Sequence, residues 1–175
     1  MKLFAAVILL LLAFTFASAQ KKDWQTFTSD EGGFSVLMPD KPTPDTVAVF
    51  TLKGQKESHT FSYSDENLND YLVAYSKFRE TDTREMDYDA LLDKIQKGIL
   101  LGEEGKMRSK IALVLDGNPG RELTIEHPDG SIKTHRFYLV GDYFYQLSVE
   151  IKRSESKTAN TDRFLDSFKL ISCSK

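Results

Sequence analysis

Residues 143–152 read YFYQLSVEIK, and the order of apolar and polar side chains there decides the fold class. Tyr143, Tyr145, Leu147, Val149 and Ile151 fall on one side of an extended chain; Phe144, Gln146, Ser148, Glu150 and Lys152 fall on the other. A period of two with one apolar side predicts a strand resting on a core. Phe144 alone breaks the division.

The same texture spreads outward from this strand. Gly141-Asp142 suits a two-residue hairpin, and His127-Pro128-Asp129-Gly130 sets Pro where φ near −65° is wanted and Gly where positive φ is tolerated. Segments 119–127, 131–140 and 143–152 therefore form an expected meander. Upstream, 111–115 is a further strand closed by the turn Asp116-Gly117-Asn118-Pro119-Gly120. Strands over 47–52 and 58–63 flank a hairpin turn at Lys53-Gly54-Gln55-Lys56, and YLVAYSKF at 71–78 is strand-like through its β-branched and aromatic residues.

Two segments switch to helical spacing. In 87–102, Leu91, Leu92, Ile95 and Ile99 recur at intervals of three and four, Asp87 is placed to cap the helix, and Gly102 to end it in a left-handed turn. Gly98 costs about 1 kcal/mol relative to Ala inside a helix and is expected to mark close packing against the sheet. A second helix is expected over 160–168, with Phe164, Leu165 and Phe168 on its apolar side, followed by a short strand at 169–171. Hairpin-linked strands with two helices out of strict alternation give an α+β fold: a mostly antiparallel sheet of about six to nine strands packed with two helices.

The chain has 175 residues and a net charge of −3. It begins MKLFAAVILLLLAFTFASAQ, where Lys2 precedes an apolar run from Leu3 to Phe16 and Ala17-Ser18-Ala19 offers small-x-small. That pattern predicts a signal peptide over 1–19, cut after Ala19, with no Cys behind the apolar run for lipid attachment. The 156 residues that follow are expected to form a single domain, 20–175, with charge −4. A mildly acidic chain with dispersed Lys and Arg lacks the electrostatic footprint for nucleic acid or anionic lipid. The single cysteine, Cys173, cannot staple the fold and is expected to be a tail thiol without a role.

The chain carries fragments of several chemical motifs on these elements. Gly33-Phe34-Ser35-Val36 begins like a serine elbow, but Leu37 stands where Gly is needed, and Pro39, Pro42 and Pro44 forbid the helix that must follow. Glu31-Gly32-Gly33 lacks the Gly-Lys-Ser/Thr and helix start of a phosphate loop. A turn feeding a strand is expected. Asp65, Asn67 and Asn69 match the first oxygen positions of a calcium loop, but Asp70 replaces the loop's Gly and Ser76 its final Glu, so a solvated hairpin turn is expected. His59, His127 and His135 make no H-x-x-x-H pattern and are expected as surface histidines, with a metal site shared by His127 and His135 as the alternative. No catalytic, cofactor-binding or metal-ligating residue is assigned.

The order of elements resembles the PsbP-like family. Three places carry the resemblance: Trp24-Gln25-Thr26-Phe27 with 31–39; 117–123 leading through Asp129-Gly130 to 143–147; and the ending 163–170, RFLDSFKL. The resemblance implies an antiparallel sheet sandwiched by helices (an α/β/α sandwich). It also implies diverse roles: lumenal support of photosystem II linked to manganese and calcium, binding of a small GTPase, and exported bacterial proteins of unknown role. The apolar leader, unlike a Ser/Arg-rich transit peptide, favours the exported bacterial class, secreted or periplasmic. The expected function is a non-enzymatic module that binds a protein partner or supports an envelope assembly. The alternatives are a metal-handling (Ca/Mn/Zn) accessory resting on His127, His135 and the 65–70 turn, or a small hydrolase built from carboxylates the sequence cannot pair.

Overall fold

The computed structural model describes residues 23–51, 54–77, 87–152 and 159–171, with backbone alone at 50, 51, 54 and 55. The expected leader, its cut after Ala19, Lys53 of the first hairpin and Cys173 lie outside the described residues. The N-terminal half holds β1 (Gln25–Ser29), β2 (Phe34–Met38), β3 (Thr43–Thr51), β4 (Gly54–Ser64) and β5 (Asp70–Lys77). Then follow α1 (Tyr88–Gly102), β6 (Lys106–Leu115), β7 (Asn118–Glu126), β8 (Ile132–Val140), β9 (Tyr143–Ile151), α2 (Ala159–Leu165) and β10 (Lys169–Leu170).

Seven strands form one antiparallel sheet in the order β3-β4-β5-β9-β8-β7-β6. The strand read first in the sequence, β9, is its centre, paired with β5 from Asp70↔Glu150 to Lys77↔Tyr143 and with β8 from Ile132↔Ile151 to Val140↔Tyr143. Tyr145, Leu147, Val149 and Ile151 are buried on one face with Tyr71, Val73 and Tyr75 of β5. Phe144 is not an exception to the pattern. It meets Phe137 at 6.2 Å on the opposite face, in a second cluster with Leu123, Leu139 and the α1 residues Leu91, Leu92, Ile95 and Ile99. The sheet is therefore covered on both sides.

The first face is covered by a second sheet. β2 pairs with β1 on one side and β10 on the other, so the opening hairpin lies over the main sheet instead of joining it. Its alternation explains this: Phe34, Val36 and Met38 are fully buried while Ser35 and Leu37 are half-buried. Phe34 packs among Phe27, Phe61, Tyr75, Tyr145 and Phe168 with ring centroids 5.5–6.2 Å apart. Gly33 takes φ +65°, as the expected reversal requires, and both glycine carbonyls are used: Tyr145 Oη donates to Gly32 O at 2.7 Å and Ile171 N to Gly33 O at 2.9 Å. Ser35 sits mid-strand opposite Thr28 and Lys169, which ends the elbow reading.

Three local expectations are corrected. α1 is capped by Asp87, whose Oδ1 accepts from Ala90 N at 3.0 Å, but Gly102 is its last helical residue and not a left-handed stop. The helix ends instead because Glu103 turns to φ −114°, ψ 125°. Gly98 faces open space, with nothing within 4 Å of a Cβ placed on it, because the buried stripe runs through 91, 92, 95 and 99. α2 stops at Leu165; Ser167 N and Oγ both donate to Phe164 O, and Phe168 reaches the core from beyond the helix.

Two outcomes are expected. Phe34→Ala should cost about 3–5 kcal/mol in urea unfolding, while Ser35→Ala stays within about 0.5 kcal/mol of the parent. Gly98→Ala should stabilise the protein by about 0.5–1 kcal/mol, since the added methyl gains helix propensity and meets no neighbour; calorimetry showing a loss would contradict the solvent-facing placement.

Candidate functional site

α1 covers only part of the face it packs on. Beneath it β7, β8 and β9 present Leu123, Phe137, Leu139 and Phe144; further along, the same face carries Lys133 and His135 of β8 and Gln146 and Glu150 of β9. The change from apolar to polar occurs where the helix stops. Glu103, the first residue after the helix, sends its carboxylate onto this polar end.

Four cationic or imidazole groups converge around two carboxylates. Glu103 Oε1 lies 2.8 Å from Lys133 Nζ and 3.2 Å from His135 Nε2, and its Oε2 lies 3.2 Å from His127 Nε2. Lys133 Nζ is also 3.7 Å from Glu150 Oε2, and Lys152 pairs with Glu150. The His135 side chain is 3% exposed, that of Glu103 14% and that of His127 15%. For His127 and His135 the expectation of surface histidines is therefore overturned. The hairpin folds His127 inward through its turn, where His127 N donates to Ser131 O and Gly130 N to His127 O, both at 3.0 Å; strand register places His135 opposite Ser148.

Each imidazole is held by its other nitrogen. His127 Nδ1 is 3.0 Å from Glu104 O, and His135 Nδ1 is 3.2 Å from Gln146 Nε2. Both Nε2 atoms are buried and turned to Glu103; Gln146 Nε2 can only donate, so His135 Nδ1 accepts and the His135 hydrogen sits on Nε2, facing Glu103 Oε1. The hydrogen bond from His135, joined by that from Lys133, outweighs burial and holds the Glu103 carboxyl down to about 2. At Glu150 burial opposes ionisation, but Lys152 and Lys133 prevail and lower its pKa.

The other expected features separate from this cluster or serve the fold. In the 65–70 turn, Asp65 Oδ1 accepts from Asn67 N at 2.8 Å and Asn69 N at 2.9 Å, so the carboxylate is taken up in shaping the turn. Asn69 Oδ1 accepts from Lys152 N at 3.3 Å, which brings this turn to the same end of the sheet as Glu150. His59 lies elsewhere, stacked on Tyr75 at 4.8 Å beside a cleft of about 470 Å³ lined also by Glu31, Lys56, Lys77 and Tyr143. Of the buried carboxylates, Glu122 receives Arg136 Nε and Nη2 at 2.9 and 2.7 Å, and Arg136 Nη1 continues to Asp166 at 2.8 Å. The sequence assigns Glu103 no role, since a Glu-Glu pair after a helix is indistinguishable from solvated charge. Its position just past the last apolar turn of α1 was the available signal.

No protein family and no curated protein gave a match to the sequence. Among solved structures the chain is similar to the solution structure of cyanobacterial PsbP (CyanoP) from Synechocystis sp. PCC 6803, at 12% identity and a TM-score of 0.54, covering 91% of this chain and 99% of that one. At that identity the likeness concerns the fold, and the fold is PsbP-like: antiparallel sheets with two helices, as the three sequence places implied.

Glu103→Gln should remove the charge that Lys133 and both imidazoles face, costing about 1–3 kcal/mol. Hydrogen exchange should speed up in the last turn of α1. Asp93→Asn, which weakens a pair between an exposed carboxylate of the same helix and Arg121, should cost clearly less. Equal losses in the two variants would deny Glu103 its role as the anchor.

Proposed function

We propose that the chain is an exported, non-enzymatic accessory module, cut after Ala19 and acting in the periplasm or outside the cell, that binds a protein partner through the free edge of its main sheet. The observation that carries this is β6. It ends the seven-stranded sheet, with β7 as its sole pairing neighbour among the described residues. It exposes apolar residues along its length: Val114 is 75% exposed and Ile111 46%. A long edge strand with unpaired backbone groups is a template for another strand.

Charge fixes the chemistry of the partner. The first half of β6 holds Lys106, Arg108 and Lys110; the second half, Ile111 to Leu115, is apolar. The complementary partner is an extended segment with acidic residues at one end and apolar residues at the other, adding to the edge as an eighth strand. The buried Glu122 and the half-buried Glu103 and Glu150 are each matched by a cation, which supports a structural use of these groups over acid–base catalysis. The PsbP-like fold is consistent with an accessory role. Within the described residues no helix is long and apolar enough to cross a membrane.

Replacing Ile111 and Val114 together by Lys tests the assignment. Both sites are exposed, so stability should change by no more than about 0.5 kcal/mol per site. A photo-crosslinker at Ala112 should give discrete adducts in the native host that disappear in the double variant. Adducts that persist there, or that form only from the β3 edge, would refute it.

A further inference from the structure

Resting on the reading of β6 as a docking edge, we infer that its partner is a second copy of this chain. That copy lays its own β3 beside β6 in parallel, so that copies join head to tail.

Both edges of the main sheet are open. Among the described residues β3 pairs only with β4, as β6 pairs only with β7. Every residue of β3 from Thr43 to Val49 is exposed, Val47 at 39% and Val49 at 37%. An exposed edge with apolar side chains invites a further strand, and this sheet has two. Pro44 has no N–H to give, which confines strand addition on β3 to the residues beyond it.

Direction and face agree with such a joint. Six antiparallel steps lead from β3 to β6, so the two strands run the same way within one copy. A second copy set beside the first in the same orientation brings β3 parallel to β6 and keeps both α1 helices on one side. Lys110 lies opposite Leu123 and Ala112 opposite Arg121, and both of those partners meet α1. Lys110, Ala112 and Val114 therefore stand on the α1 face. Pro44 and Thr46 lie opposite Phe61 and His59, whose rings belong to the other face with Tyr75. Asp45, Val47 and Val49 therefore stand on the α1 face too.

Charge selects one register. With Asp45 beside Lys110, Val47 falls beside Ala112 and Val49 beside Val114; on the opposite face Ala48 falls beside Leu113. A slip of one residue sends every side chain to the wrong face, and a slip of two parts Asp45 from Lys110. The run from Asp45 to Val49 is thus acidic at one end and apolar at the other, the pattern that complements β6. Each joint leaves a free β3 at one end and a free β6 at the other, so the contact is heterologous and extends beyond two copies.

The test uses the chain expressed in and purified from its own host. In sedimentation its mass should rise past that of a dimer as concentration increases. Val47→Lys and Val114→Lys each block one edge, and each should weaken association by about tenfold or more. Mixed, the two variants should form one sound joint and stop at a pair, because one retains an intact β6 and the other an intact β3. A zero-length carbodiimide link between Lys110 and Asp45 should appear by mass spectrometry. Within one copy these strands stand six spacings apart, about 28 Å, so the link can only join two copies. Asp45→Lys alone should weaken association, and adding Lys110→Asp should recover it. A chain that stays monomeric at millimolar concentration, association untouched by Val47→Lys, or no recovery in the double charge variant would overturn the inference. Ala112 adducts in the host that contain only a different protein would overturn it as well, while leaving β6 as a docking edge. The absence of any Ala112 adduct would remove both.

Discussion

A seven-stranded sheet with apolar side chains on both faces cannot be stable until both are covered, and the rest of the molecule follows from that requirement. β9 states it most plainly, with Leu147 and Val149 directed to one layer and Phe144 to the other. Two different covers answer it: a three-stranded sheet with α2 on one side, and α1 on the other. The first cover is fixed by direct bonds as well as packing. Tyr145 reaches from the centre of the main sheet to Gly32 O, so the turn of the opening hairpin and the central strand share a buried hydrogen bond. A phenol buried among aromatic rings needs such an acceptor, and a glycine carbonyl turned inward needs such a donor.

The second cover is incomplete, and its incompleteness makes the candidate site. A fifteen-residue helix crossing the sheet leaves part of β8 and β9 beyond its end. Those positions cannot be apolar without exposing a patch, nor freely polar while partly buried. They carry a matched set instead: two carboxylates, two lysines and two imidazoles. Pairing makes such burial tolerable, because an isolated ion there would cost several kcal/mol. Lysines and carboxylates balance one another, and the two imidazoles turn their Nε2 atoms to Glu103.

Most of the secondary structure was legible because it is written locally. Gly130 at φ +82° and Gly141 at φ +55° make the turns their sequences called for, and Asp87 caps α1 as its position implied. What could not be read was which cover goes where. β1 and β2 look like any other hairpin until Phe34 is seen to face a second sheet, and that depends on partners more than a hundred residues away. Gly98 was misjudged for the same reason: helical spacing gives the buried stripe, but a glycine invites a packing explanation that only the neighbouring surface can grant. For the site, the hairpin flanked by His127 and His135 was visible, whereas the carboxylate joining them came from a helix end whose distance to the sheet no local pattern records.

Glu103 also connects the polar end of the main sheet to its edge strand. Only Glu104 and Gly105 stand between it and Lys106, where β6 begins. Gly105 is closely packed: a Cβ there would lie 2.4 Å from Ile125 Cγ2 and 2.9 Å from Glu126 O. Glu126 in turn pairs with Arg108 of β6. A change at Glu103 therefore passes into a segment with little room to absorb it, and the first residues of the edge strand lie directly beyond. Glu103, through Lys133 and the two imidazoles, and Glu126, through Arg108, join the start of β6 to the polar end of β8 in one set of ion pairs. The polar end of the sheet is thus one electrostatic unit, and its parts are to be understood together.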